Sequence, residues 1–366
     1  MKILVSAFSN LDTDQRIEKV CETLFRNGYN IELIGNDWGG AADLKRAYPI
    51  TRIHIASKNL RLAYPEFNRK LYSELKKRAT PNTVLLANDL DALLPNVIFS
   101  NKLNIPLVFD SHEIFTEMPA IKGRFTQKIW KTLEKKLVPG IRYMMTESAS
   151  YAEWFKNEYG VNPLVIRNIP RKISENIDIS VNNPKVIIYQ GAINESRGLP
   201  SAIKMMHFVD NAVLKIAGDG PKRKELEELA ARENLQNKVN FVGKLLPDDL
   251  RQFTKKADVG ISIEENGGVS YLYSLPNKVA DYIQSRVPLV MINFPEMMRV
   301  YDEFKVGEIA ENHNPKDLAE KVGIVLQNGR AFYRSELDRA ASELCWEKEE
   351  AKIIDLFRKV VEENFH

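Results

Sequence analysis

A chain of 366 residues exceeds the size that one hydrophobic core usually organises, so two domains are expected. With 44% hydrophobic and 28% charged residues it is an ordinary globular protein, and 52 basic against 49 acidic side chains are too balanced for a dedicated nucleic-acid binder. The balance is uneven along the chain: residues 1–170 carry 24 basic and 18 acidic side chains, or +6, which leaves −3 for the rest, so an anionic surface would be met by the first half.

The opening "MKILVSAF" is too short an apolar run for a signal peptide, and no later stretch reaches the ~18 apolar residues of a membrane span. The two cysteines, Cys21 and Cys345, sit far apart in helical patterns; they make no metal site by themselves and fit a reducing compartment. A cytoplasmic location is therefore expected. Strands are read at "KILVSAF", "NIELIGN", "TRIHIA", "TVLLAND", "IPLVFDSHE", "YMMTES" and "LVIRN", with amphipathic helices in most gaps. "DTD" at 12–14 precedes a helix, where Asp12 or Asp14 reads as an N-cap or first-turn acid, and "DLD" at 89–91 closes a strand. His112 in "FDSHE" follows an apolar strand and should lie at its carboxyl end, with Glu113 beside it. Two basic clusters stand out: residues 58–78, with seven basic against two acidic side chains interleaved with Tyr64, Phe67 and Tyr72, and residues 122–142, with seven against one. In the second cluster Ile121, Phe125, Ile129, Leu133 and Leu137 recur at i+4 beside Trp130, a stripe that either packs on the sheet or meets a membrane.

After the polar run "RKISENIDISVNNP" the alternation restarts with "KVIIYQG", "AVLKIAGDG", "KVNFVGK", "ADVGISI", "VPLVMIN" and "VGEIA". The reading is α/β: two doubly wound Rossmann-like domains facing a central cleft. The boundaries expected are 1–170 for the first domain, 171–184 for a linker, 185–345 for the second domain and 346–366 for a terminal helix, with Trp346 read as packing. Ligands of such sheets bind beyond the carboxyl ends of strands, which in the second half means "QGAINESRGL", "GDGPKRKEL", "GKLLPDDL" and "EENGGVSYLYSLPNK". Gly191, Gly218 and Gly220 in these loops allow backbone to approach a ligand closely. In "SLPNKVADYIQ" a proline-started helix presents free N–H groups and Lys278, which suit an anion, while Asp281, nearly a turn further in, suits hydroxyls. Phosphate with vicinal hydroxyls describes a nucleotide.

The order and spacing of "DTDQRIEKVCETLFRNGYNI", "FDSHE", "YQGAINESRGL", "KIAGDGP", "VNFVGK" and "SLPNKVADYIQSRVPLV" resemble the GT-B fold glycosyltransferases of family four over nearly the full length. The resemblance implies transfer of a sugar from a nucleotide-sugar donor to an acceptor hydroxyl, with retention of configuration and no metal. It also implies that the terminal helix crosses back to the first domain. It puts Asp281 at the acidic position that grips the nucleotide ribose. The family's other acidic position, eight residues earlier, falls on Tyr273. Tyr273, Ser274 or loop N–H groups are then left to meet the donor sugar, with Glu264 and Glu265 available only if their loop folds back. The basic pair that clamps the diphosphate falls on Ala192 and Arg197, so only Arg197 survives, and Lys278 is the natural replacement. Asn277 belongs to the same donor-binding turn. His112 is implied to position the donor sugar and the forming bond, and Arg16 either approaches the diphosphate or closes a salt bridge within its own domain.

Arg197, Lys278 and helix N-termini would then stabilise the leaving diphosphate, without a cofactor other than the donor itself. If the clusters at 58–78 and 121–142 hold an anionic membrane surface, the acceptor is a lipid-linked glycan, as in capsule or surface-polysaccharide assembly. Two alternatives keep the same site: a nucleotide-sugar epimerase, which would need acid/base groups around the sugar, and a non-catalytic nucleotide-sugar-binding subunit, favoured by the departures at Tyr273 and Ala192.

Overall fold

The computed structural model describes residues 1–38, 45–119, 121–175, 177 and 182–365. The chain forms two compact units, residues 1–168 with 349–366, and residues 169–348.

The first unit is built on seven strands: β1 Lys2–Ala7, β2 Asn30–Asn36, β3 Ile50–Ile53, β4 Thr83–Asn88, β5 Leu107–Ser111, β6 Tyr143–Thr146 and β7 Leu164–Val165. All pair in parallel in the order β3-β2-β1-β4-β5-β6-β7. The central strands are continuous apolar runs rather than alternating ones, because helices cover both faces; every residue of β4 and β5 is buried. Asp14 caps helix Gln15–Arg26 by accepting from the Ile17 N–H at 3.0 Å, and Asn59 caps Leu60–Arg78 in the same way.

The second unit repeats the plan with β8 Lys185–Gln190, β9 Ala212–Ala217, β10 Val239–Gly243, β11 Val259–Ser262, β12 Leu289–Ile292 and β13 Gly307–Ala310. Its parallel order is β10-β9-β8-β11-β12-β13. In each sheet the winding reverses beside the first strand, between β1 and β4 and between β8 and β11, so the loops leaving those strands part and open a crevice. Beneath the second crevice lies a core that includes Ile187, Leu214, Ile261 and Tyr282.

Two boundaries differ from the sequence expectation. The described residues of the stretch 171–184 belong to the second unit, where Gln284, Glu347 and Asp258 hold them by hydrogen bonds. The Ile173 N–H donates to Gln284 at 3.0 Å, the Lys172 N–H to Glu347 at 3.0 Å, and Asn182 Nδ2 to Asp258 at 2.8 Å. Residues 176 and 178–181 lie outside the described residues. Helix Trp346–Asn364 begins in the second unit, where fully buried Trp346 donates its N–H to Pro170, and from residue 349 it belongs to the first, burying Ile353, Phe357 and Val360.

Backbone contact between strand-end loops is closest at Gly218 after β9. Its φ is +152°, and a Cβ there would fall 1.8 Å from the Gly191 carbonyl oxygen. Gly218→Ala is expected to destabilise the protein by about 2–3 kcal/mol, seen as a lower urea midpoint at unchanged m value.

Candidate functional site

The second-unit site is assembled from three segments at the crevice beside β8 and β11. The loop leaving β8 carries Gly191, Ser196, Arg197 and Gly198; the loop leaving β11 carries Glu264 and Glu265; helix Asn277–Gln284 supplies Lys278 and Asp281. The first two loops are stitched together. The Glu265 N–H donates to the Ser196 carbonyl at 3.0 Å, and Gly198, at φ +68°, lies so close to Ile263 that a Cβ would meet its carbonyl oxygen at 1.9 Å. His313 Nε2 lies 3.1 Å from the carbonyl oxygens of both Ile263 and Glu264, fixing the same turn from another element.

Glu264, only 1% exposed, is the hub. Lys278 Nζ donates to its Oε1, Arg197 Nη1 stands 4.0 Å from the same oxygen, and Oε2 accepts from Ser262 Oγ at 2.8 Å. The cations also lie over rings: Arg197 is 4.9 Å from the Tyr271 centroid and Lys278 is 4.7 Å from that of Tyr189. Burial pushes the Lys278 ammonium below the usual lysine value, and Glu264 acts against that shift. Burial alone would raise Glu264, but Lys278, Ser262 and Arg197 hold it below the ordinary carboxyl value. Arg197 Nε is buried with no hydrogen-bond acceptor among the described residues, a donor left for a ligand.

Asp281 is set by the end of β8. Its Oδ2 accepts from Gln190 Nε2 at 2.8 Å, while Gln190 Oε1 accepts from Thr254 Oγ1 at 2.6 Å and the Gln190 N–H donates to Tyr282 Oη at 3.1 Å. Pro276 is the N-cap rather than the first helical residue, so Asn277 opens the helix, exposed, one position later than the sequence indicated. Ser274 Oγ donates to the Tyr271 carbonyl at 3.0 Å, and Tyr273 ends helix Val269–Leu272, half-buried. Gly191, at φ +136°, faces Tyr189 and Lys278, and Gly220 packs on the Ile193 backbone.

The first unit gathers a separate ionic cluster at the ends of β4 and β5. Arg16 is 2% exposed and grips Asp110 with two hydrogen bonds of 3.0 and 2.6 Å while donating to the Ile166 carbonyl at 2.6 Å. Of the two readings left by the sequence, the structure shows the salt bridge within the unit. His112 stands over the pair, Nε2 3.3 Å from Asp110 Oδ2 and from Asn88 Oδ1, and Nδ1 3.3 Å from Asp89 Oδ2. Its N–H donates to Asp89 Oδ1 at 2.9 Å, and Asp89 pays for this geometry with a φ of +58°. Burial alone would lower the His112 pKa, but Asp89 and Asp110 raise it to about 10, so the ring is an imidazolium at neutral pH. Burial and then Asp89 push Glu113 up to about 8, and burial pushes Glu147 up to about 7.

The structure thus brings Gly191, Arg197, Lys278 and Asp281 into one crevice, and Arg16 with His112 into another cluster. Sequence reasoning missed Gln190, Tyr271 and His313, for which no local pattern stands out, and admitted Glu264 only conditionally. Asp14 is a helix cap, Asp12 pairs with Arg52 at 2.5 Å, and Asp91 is pushed well up by burial, so neither Asp-x-Asp string presents two free carboxylates. No group of three or more potential metal ligands is found among the described residues. A concavity of about 500 Å³ lined by Arg142, Tyr143, Lys352 and Lys359 lies where β6 begins, at the edge of the first sheet opposite the strand ends that carry His112.

Comparison with known proteins bears on the fold and the family. The family model described as "Glycosyltransferase Family 4" matches residues 15–175, and that described as "Glycosyl transferases group 1" matches residues 171–343. Two uncharacterized glycosyltransferases of Methanocaldococcus jannaschii are similar. One is 27% identical over 152 residues, 40% of this chain and 37% of the relative; the other is 22% identical over 233 residues, 63% and 61%. The chain therefore spans under two thirds of either relative. Sucrose-phosphate synthase from Thermosynechococcus elongatus superimposes with a TM-score of 0.79 at 13% identity, covering 99% of this chain and 100% of that one. Anabaena HepE, solved with UDP and glucose, gives 0.75 at 16% identity, covering 98% and 100%. The structural likenesses show the GT-B fold, and the family matches support a family-four-like glycosyltransferase.

Replacing His112 tests the first-unit cluster. A histidine whose folded pKa lies above its unfolded value stabilises most below about pH 6.5 and loses that contribution as pH rises towards 10. His112→Gln should therefore cost at least about 1 kcal/mol at pH 6, with the difference from wild type shrinking steadily by pH 10 in urea unfolding.

Proposed function

From glycosyltransferase matches in both halves of the chain, we propose that the protein is a retaining, metal-independent transferase that moves a sugar from a nucleotide-diphosphate sugar to a hydroxyl of a lipid-linked glycan, in surface or capsular polysaccharide assembly on the cytoplasmic face of a membrane. The observation that carries the donor reading is the meeting of Arg197 and Lys278 on Glu264 at the winding reversal, with Asp281 oriented by Gln190 in the same crevice.

Cleavage of a sugar–phosphate bond builds negative charge on the departing diphosphate. Arg197 and Lys278, placed before the donor arrives, meet that charge with hydrogen bonds worth roughly 1.5–3 kcal/mol each. The exposed N-terminus of helix Asn277–Gln284 adds unpaired N–H groups. Asp281 accepts from the ribose hydroxyls, and Tyr273, Ser274 and Asn277 border the donor. His112, held as an imidazolium, acts as a hydrogen-bond donor that positions the sugar, since a cation cannot serve as general base. UDP is the first nucleotide to test, because the structurally similar HepE was solved with it.

The acceptor reading rests on the outer face of the first unit. In helix Phe125–Leu137 the apolar stripe divides: Trp130 packs inward on Tyr64 and Phe115, at 5.1 and 4.9 Å, while Phe125 and Ile129 are 76% and 55% exposed. The acidic residue of this segment, Glu134, is buried on Thr116 and Tyr159, so it does not neutralise the basic side chains outside. Leu60 and Leu62, exposed beside Arg61, extend the pattern on helix Leu60–Arg78, which Tyr64 joins to Trp130. Lys131 pairs with Glu117 at 2.5 Å and Lys70 with Glu66 at 2.6 Å, yet basic side chains outnumber acidic ones around the exposed apolar anchors, which suits an anionic lipid surface, where each basic side chain contributes about 1 kcal/mol. Among the described residues no helix is long and apolar enough to cross a membrane, so this attachment is peripheral in the proposal.

Asp281→Ala should weaken binding of the preferred UDP-, GDP- or ADP-sugar at least tenfold, about 1.4 kcal/mol, in metal-free calorimetry, with unfolding otherwise unchanged. Phe125→Ser with Ile129→Ser should abolish co-sedimentation with anionic vesicles while leaving donor binding intact; equal pelleting of the variant would remove the membrane reading.

A further inference from the structure

We infer that Glu264 is a positioning residue that holds Lys278 as a cation for the donor diphosphate, an inference that rests on the nucleotide-sugar reading above. Among the positions that could stand in for the missing carboxylate at Tyr273, Glu264 is the one found beside the predicted cations. Its geometry nonetheless argues against direct contact with a sugar. The residue is 1% exposed, Oε2 is held by Ser262 Oγ at 2.8 Å, and Oε1 faces Lys278 and Arg197. Both oxygens are thereby engaged within the protein.

What this carboxylate does instead follows from the surroundings of Lys278. An ammonium has three donors; one goes to Glu264, and the Tyr189 ring faces the nitrogen at 4.7 Å, leaving donor capacity for an anion. Gly191, at φ +136°, flanks Lys278, with a Cβ position 3.6 Å from its Cε. The charged groups facing Lys278 come from three elements: Arg197 from the loop after β8, which opposes its charge; Glu264 from the loop after β11, which supports it; and Asp281 from its own helix, which supports it weakly and is bonded to Gln190. With Lys278 only 6% exposed, solvent does little to keep the proton on. Removing the Glu264 charge leaves a buried lysine facing a guanidinium, and such a lysine sheds its proton at lower pH than in the wild type.

The test is the pH dependence of nucleoside-diphosphate binding in wild type, Glu264→Gln and Glu264→Asp, with folding checked by circular dichroism. UDP is titrated first, then GDP and ADP, from pH 6 to 9. Wild type should change affinity less than threefold across that range. Glu264→Gln should bind within a few-fold of wild type at pH 6 and lose at least tenfold by pH 9, and Glu264→Asp, which retains a charge, should restore the flat profile. A Glu264→Gln profile parallel to wild type, whether tighter or weaker throughout, overturns the inference. A ligand-free measurement separates this from the donor reading: in protein labelled with 13C at lysine Cε, with Lys278 assigned from Lys278→Arg, the Lys278 titration should move to lower pH in Glu264→Gln. If no nucleotide binds wild type, the donor reading fails and this titration decides alone; an unmoved Lys278 overturns the role of Glu264.

Discussion

A carboxylate withdrawn from water must be matched by positive charge or give up its own, and in the second unit that constraint ties the crevice together. Glu264 is almost fully buried and is matched by Lys278 and, more distantly, by Arg197, with Ser262 filling its remaining acceptor. Burial of such a group costs several kcal/mol unless its partners are well placed, so three segments are obliged to converge. The loop after β8, the turn after β11 and the N-terminal end of helix Asn277–Gln284 meet there because the sheet reverses its winding between β8 and β11. Topology opens the crevice, and electrostatics decides what lines it. The result is a cation pair in which Arg197 Nε is buried without an acceptor among the described residues, and the proposed function assigns that pair to a diphosphate.

The first unit answers the same constraint with different groups. Asp110 is buried with Arg16, and Arg16 with His112 holds its carboxyl well below the usual range although burial alone would raise it. His112 is in turn kept protonated by Asp89 and Asp110. The chain Arg16, Asp110, His112 is thus an orienting relay in which the arginine acts through the aspartate, and the ring is presented as a cation. Glu113 and Glu147, pushed up to about 8 and about 7 chiefly by burial, are uncharged for part of the physiological range.

Most of the fold was legible in the sequence because strands buried on both faces leave continuous apolar runs: "TVLLAN" and "LVFDS" became β4 and β5, and the other strands among the described residues, including the alternating edge strand β10, fall in the segments read as strands. Site residues were legible where a local motif carried them, as with Lys278 and Asp281 behind Pro276. Gln190 was not, because its role depends on Asp281 and Thr254, 91 and 64 positions away. Glu264 was ambiguous for a related reason: two adjacent glutamates, Glu264 and Glu265, look alike in sequence, and only the turn fixed by Ser196 and His313 determines which is buried. In the stripe at 121–137 the i+4 spacing does not show how the helix is turned: it buries Glu134, packs a half-buried Trp130 inward and exposes Phe125 and Ile129. Arg16, just inside a helix, reads equally as a diphosphate contact or a salt-bridge partner until Asp110, 94 positions later, is seen to bond it.

The most direct test of the account is whether Arg197 and Lys278 read a diphosphate. Calorimetry should compare one nucleoside with its mono- and diphosphate in wild type and in Arg197→Ala with Lys278→Met, without metal. The account predicts at least a tenfold wild-type preference for the diphosphate over the monophosphate, about 1.4 kcal/mol, and its disappearance in the double variant. A preference that survives removal of both cations would contradict it.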